Sequence, residues 1–250
     1  MSKQHKDLKK YKSLTEHLIE LRSRLIKIIL VIIILIITLT PFLHQILTYV
    51  TQPMLASLPE GNKMSITGVL EGIIVPIKVL LTMAFILSLP FTLYQIWAFI
   101  APGLYRKEKK VVFPILLSSF LLFFLGMGFC YFIFFPALFT VASTFTPGDV
   151  AYYVPTINNY ISFILTMFLV FGLAFQVPIV MFVLNTMDIV SRQQFKDFRA
   201  YAIIAAFTIA AITTPPDIIS QFFLAVPLVL LYELGLVTCR FNKTTQSTQF

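Results

Sequence analysis

Four long, nearly uncharged stretches dominate this chain: about Ile26 to Leu43, Ile73 to Ile100, Val111 to Phe139 and Ile157 to Leu184. Each is long enough to cross a hydrocarbon layer of about 30 Å as a helix, straight or tilted. Apolar runs of this length read as membrane-spanning helices. The whole composition agrees. Charged residues make up 12% of the chain against roughly 25% in soluble domains, and the mean hydropathy is +0.88. A soluble globule is excluded. Disorder is excluded too, because 26 phenylalanines supply far more apolar area than disordered chains have.

The first run follows a basic segment and has the outline of a secretory signal. The 25 residues before it are long for the charged part of a signal, and no A-x-A-like cleavage site follows Pro41, so it is read as an uncleaved first span. A polar connection of about thirty residues is expected next, with turns at Gln52-Pro53 and Leu58-Pro59-Glu60-Gly61-Asn62. The final apolar stretch, Ala200 to Val237, is broken by Thr213-Thr214-Pro215-Pro216-Asp217. Adjacent prolines cannot continue a helix, and Asp217 is placed to cap the one that follows. A helical hairpin is predicted, with arms Ala200 to Thr214 and Ile218 to Tyr232. At 1.5 Å per residue each arm is about 22 Å long, some 8 Å short of a usual core.

The expected fold is all-α: one polytopic membrane domain over residues 1–250, with six spans near 26–43, 73–100, 111–139, 157–184, 200–214 and 218–237 and the last two short. Residues 1–13 and 242–250 are tails. Prolines at 76, 90, 114, 136 and 178 lie in or beside the long helices. They are tolerated as ordinary membrane-helix prolines, or they bend the bundle into a concave cup.

With both termini on the cytoplasmic side, only Lys63 and Lys78 of the 19 basic residues fall on the far side. That asymmetry orients the chain N-in and C-in. The net charge of +8 is thereby explained by topology, without nucleic acid. Cys130 and Cys239 form no CxxC, and His5, His17 and His44 have no ligand spacing, so neither a metal nor a cofactor is expected.

Among function classes, an enzyme lacks support: HExxH, GxSxG and paired intramembrane aspartates are all missing from the sequence. A channel would need a polar helix face or a filter-like loop. A secondary transporter of a small solute is the main alternative, but such folds show internal repeats and polar midplane sites. Here the interior is lightly polar, with Gln176 and Gln221 its main amides. Gln176 is most simply a helix-bridging group. At the cytoplasmic surface Glu20 stands beside Arg22 and Arg24, and Glu108 lies within Arg106-Lys107-Glu108-Lys109-Lys110. Such acids either neutralise their neighbours or receive a cationic peptide through paired arginine contacts.

The wording around these acids is more specific. His17-Leu18-Ile19-Glu20-Leu21-Arg22-Ser23-Arg24-Leu25 resembles the N-terminal signature of the TatC family, the multispanning receptor of the twin-arginine, Sec-independent protein translocase. Leu93 to Tyr105 followed by Glu108 resembles the family's second helix and first cytoplasmic loop. Gly126-Met127-Gly128-Phe129 with Tyr131 and Pro136, then Phe171 to Pro178, resemble helices three and four. Thr214-Pro215-Pro216-Asp217 with Ser220-Gln221, Ala225, Pro227 and Tyr232-Glu233 resembles the last hairpin. These blocks occur in order from about residue 14 to 241.

The resemblance implies a receptor in the bacterial cytoplasmic membrane for paired-arginine signal peptides of folded precursor proteins. Glu20 and Glu108 match the family positions placed in that site, and Arg22, Phe99 and Leu104 match neighbouring ones. The peptide's apolar part would lie in the concave membrane face. TatB and TatA, or one bifunctional partner, would dock near the hairpin, where Thr214 and Gln221 match polar positions tied to docking. Asp217 matches a position tied to function on the far side. Self-association in a receptor complex and transport driven by the proton-motive force are also implied, with no ATP site. One position departs from the pattern. Gln176 stands where many relatives have glutamate, and an amide cannot relay a proton.

Overall fold

The computed structural model describes residues 2–56, 64–100, 109–144, 156–214 and 217–246. Helix α1 covers Ser2–Leu39 and passes through a 3-10 turn, Thr40–Phe42, into α2, Leu43–Leu55. Helix α3 is Glu71–Ile100. Next, α4, Lys109–Phe129, continues through a π turn, Cys130–Phe134, into α5, Phe135–Thr144. The order then runs α6, Ile157–Ala174; α7, Val177–Thr186; α8, Arg192–Asp197; α9, Arg199–Thr213; and α10, Ile218–Gln246. Among the described residues one isolated parallel bridge, Ser65 to Thr156, accompanies the helices. The chain is a polytopic all-α membrane bundle. Among the described residues five stretches are long and apolar enough to cross a membrane: Ile19–Leu55, Glu71–Ile96, Phe113–Val141, Ile157–Thr186 and Ile218–Arg240.

Two sequence expectations need correction. The polar connection predicted after Leu43 is helical as far as Leu55, and Val50, Thr51 and Met54 of α2 are buried. Pro53 lies inside this helix. It has no N–H to give the carbonyl four residues back, at Tyr49. The Tyr131 hydroxyl, from the π turn, donates to that oxygen at 3.1 Å, so the helix survives its proline. The Tyr160 hydroxyl of α6 likewise donates to the Val50 carbonyl at 3.0 Å.

The second correction concerns the hairpin. Its first arm, α9, is short as expected at 15 residues. The second is not short: α10 continues well past Tyr232, and its apolar stretch of 23 residues is about 34 Å long. Glu233 does not end it. That carboxylate faces Arg199 of α9, with Nε to Oε1 at 2.7 Å, so the charge is compensated while the helix goes on.

The main core is built around α6. Phe171, wholly buried, meets Phe134 of the π turn at a ring separation of 4.8 Å and Phe129 at 5.5 Å. Phe135 packs edge-on against Phe168 at 5.6 Å. Beyond Ala174 the fourth span is interrupted. Phe175 and Gln176 form a tight turn in which the Gln176 amide bonds the Leu173 carbonyl at 3.0 Å. Pro178 then opens α7, where a missing N–H costs nothing.

Candidate functional site

The acid singled out at the start of the chain sits on α1, where Glu20 and Arg24 are one turn apart. Arg24 Nη2 and Nε donate to Glu20 Oε1 at 2.6 and 3.1 Å. The same guanidinium reaches across to the C-terminal end of α3. Its Nη1 donates to Gln95 Oε1 at 2.9 Å and to the Gln95 carbonyl at 3.4 Å, and Nη2 donates to the Ala98 carbonyl at 3.2 Å. Ala98 is among the last four residues of α3, whose carbonyls have no intrahelical donor and carry the negative end of the helix dipole. A cation there is favourable twice over, through hydrogen bonds and through the field. Gln95 is buried, whereas the Glu20 side chain keeps 38% of its surface. The carboxylate therefore faces outward while its arginine is seated in the fold.

Of the residues expected beside Glu20, Arg22 is exposed on α1. Phe99 belongs to α3, but its side chain is outside the described residues, and so are Leu104 and Glu108.

The hairpin turn gathers the next group. Asp217 Oδ1 accepts from the Ser220 amide at 3.0 Å, the capping role expected for it. Thr214 is buried, and its hydroxyl donates to the Ala210 carbonyl at 2.8 Å. Gln221 Nε2 donates to the Phe207 carbonyl at 3.2 Å, which ties α10 back to α9. At the other end of the hairpin the Tyr232 hydroxyl donates to the Phe195 carbonyl at 2.6 Å, and Arg199 pairs with Glu233. The two arms are thus stitched at both ends.

Gln176 lies at the α6–α7 break and is buried. Its Nε2 donates to the Ser119 carbonyl of α4 at 3.0 Å, while its Oε1 is buried without a hydrogen-bond partner. The bridging role expected of it is present. Among the described residues it shares no hydrogen bond with the Glu20 group or with the hairpin turn.

Two residues in this geometry were missed as site residues by sequence reasoning. Arg24 stands four residues after Glu20, the spacing of helical ion pairs, and that signal was available. Gln95 is 71 positions from Arg24, and no local pattern announces the contact. Lys78 also acquires a setting: its Nζ donates to Asn158 Oδ1 at 3.0 Å and Ser162 Oγ at 2.9 Å, joining α3 to α6. Among the described residues no cluster of three His, Cys, Asp or Glu side chains could hold a metal, and Cys130 and Cys239 are both buried and unpaired.

Comparison with known proteins agrees with this geometry. The family described as "Sec-independent protein translocase protein (TatC)" matches residues 16–227. A TatC of Halothiobacillus neapolitanus is 43% identical over 225 residues, 90% of this chain but 61% of that longer relative. The TatC of Escherichia coli K12 is 41% identical over 229 residues, 91% of this chain and 88% of the relative. A crystal structure of the twin-arginine translocase receptor TatC superposes with a TM-score of 0.83 at 37% identity, covering 91% of this chain and 99% of that one. A second, in DDM, gives 0.81 at 38% identity, covering 88% and 98%. With the bundle, the hairpin and the family blocks all in place, the chain belongs to the TatC family of multi-pass membrane subunits of the Sec-independent protein translocase, a family of translocase subunits and not of enzymes.

Proposed function

We propose that this chain is the receptor subunit of a twin-arginine translocase, binding Arg-Arg signal peptides of folded precursor proteins at the cytoplasmic face. The observation that carries this reading is the Glu20 carboxylate, partly exposed and fixed beside the end of α3 by Arg24. A guanidinium binds a carboxylate through a planar fork, which an ammonium cannot reproduce. Glu108, in the basic loop after α3, supplies the second acid. By the family resemblance Arg22, Phe99 and Leu104 support the site.

The topology has six spans, α9 included, with both termini cytoplasmic in the bacterial cytoplasmic membrane. The basic residues support that orientation, since only Lys63 and Lys78 fall outside it. Assembly with TatA and TatB, or with one bifunctional partner, uses the hairpin around Thr214 and Gln221, and receptor chains associate with one another. Export draws on the proton-motive force. The 15-residue α9 is about 22 Å long, a mismatch that thins the bilayer around it and eases the passage of folded cargo.

The test is a photocrosslinker at position 108, in membranes containing the partner proteins, challenged with a precursor bearing Arg-Arg or Lys-Lys. A crosslink that appears with Arg-Arg and fades with Lys-Lys supports the receptor site. No crosslink with either peptide moves recognition elsewhere and reopens the small-solute transporter reading.

A further inference from the structure

Among the described residues at this surface, Arg24 makes five side-chain hydrogen bonds. An arginine has five N–H donors in a rigid planar fork. Here five contacts use them: two to Glu20 Oε1, two to Gln95 and one to the Ala98 carbonyl. Three of the four acceptor atoms belong to α3, and the Arg24 side chain retains 19% of its surface against 38% for Glu20. The guanidinium is therefore anchored in the fold, and Glu20 leans on it.

We infer that Arg24 is the positioning residue of the arginine-recognition site: it holds the Glu20 carboxylate in the orientation that receives a guanidinium. This rests on the receptor reading above and deepens it, because it names what makes Glu20 selective for arginine over lysine. A carboxylate on a free α1 side chain would sample several rotamers and attract any cation alike. Held by Nε and Nη2 of Arg24, it presents one geometry, and a planar fork gains from that preorganisation more than a point charge does. Arg24 does not act as a competing occupant that leaves when the peptide arrives, because departure would break its bonds to Gln95 and Ala98 along with those to Glu20.

Lysine keeps the charge, but its three donors radiate from one nitrogen and do not reproduce the planar fork that spans Glu20, Gln95 and Ala98. The experiment uses the full chain in membranes with its partner proteins and reads the ratio of Arg-Arg to Lys-Lys precursor crosslinking. The variants are Arg24→Lys, Gln95→Leu, Glu20→Gln and the double variant Glu20→Gln with Arg24→Lys. Arg24→Lys is expected to lower the ratio by about tenfold, the effect of one charge-assisted hydrogen bond. Gln95→Leu, which leaves both ions in place but removes an anchor, lowers it less. In the Glu20→Gln background, Arg24→Lys adds no further change, as required of a residue acting through Glu20.

A ratio unchanged in both Arg24→Lys and Gln95→Leu overturns the inference if Glu20→Gln lowers it. Stronger Arg-Arg crosslinking in Arg24→Lys overturns it as well, by making Arg24 a competitor. A ratio unmoved by Glu20→Gln overturns the receptor role of Glu20 itself. Monodisperse detergent extracts of each variant keep loss of folding separate from loss of selectivity, and Gln95→Leu carries the test if Arg24→Lys does not fold.

Discussion

Gly126 of α4 lies against the backbone of Phe171 in α6: a β-carbon at Gly126 would stand 2.8 Å from the Phe171 carbonyl oxygen and 2.9 Å from the Phe175 ring. Neither neighbour can yield cheaply, since one is backbone and the other is a buried ring. The glycine is what lets these two helices approach closely enough for the aromatic core to close between them.

Gly126→Ala is therefore expected to destabilise the protein by about 1–3 kcal/mol, the range for overpacking a filled core. Gly128→Ala, two residues away, is the control, because a β-carbon there meets nothing within 4 Å. It is expected to leave stability unchanged or to raise it by less than about 1 kcal/mol through better helix propensity. Thermal unfolding of detergent-solubilised protein, followed by size exclusion, separates the two. Equal behaviour would show that the α4–α6 crossing is looser than described.

The proline in α2 gives a second test. Tyr131→Phe removes the hydroxyl that serves the Tyr49 carbonyl, at an expected cost of about 1 kcal/mol. In a Pro53→Ala background the new amide at position 53 can serve that carbonyl in the usual helical way. The cost of Tyr131→Phe should then shrink, and equal costs in both backgrounds would separate the tyrosine from the proline.

Much of this architecture is legible in the sequence because membrane helices announce themselves by length and hydropathy, and Pro215-Pro216 cannot lie within one. The capping role of Asp217 was legible for the same local reason. What escaped reading depends on distant partners. Gln52-Pro53 reads as a turn, and only a hydroxyl supplied from residue 131 makes it helix. Glu233 lies within an apolar run, and its partner Arg199, 34 positions away, leaves no local sign of the pairing. Glu20 stands out in the sequence only through its family-like setting, and its link through Arg24 to Gln95 leaves no local sign, since contacts between helices have no local period.

Gln176→Leu is expected to change stability by no more than about 0.5 kcal/mol. The substitution forfeits one membrane hydrogen bond to the Ser119 carbonyl, worth about 0.6 kcal/mol, and also removes the unpartnered Oε1. An export assay on this folded variant then decides its role. Normal export leaves Gln176 as a bridge between α4 and the α6–α7 turn, whereas loss of export at full stability assigns it a part in transport.

Gln221→Leu separates docking from recognition. The variant loses the bond to the Phe207 carbonyl but keeps the Asp217 cap, so the hairpin remains formed. Signal-peptide crosslinking should persist while crosslinking of TatA or TatB to α9 and α10 falls. Undiminished partner crosslinking would withdraw the docking role from Gln221.

The interruption at Phe175–Gln176 divides the fourth span between unequal neighbours. Up to that turn, α6 belongs to the large aromatic core; past it, α7 contributes Ile179 and Val183 to one small cluster and Met181 to another, with Leu236 and Cys239. Cooperative opening follows buried apolar contact, so the two halves of one span answer to different packing partners, α6 to the aromatic core and α7 to α10.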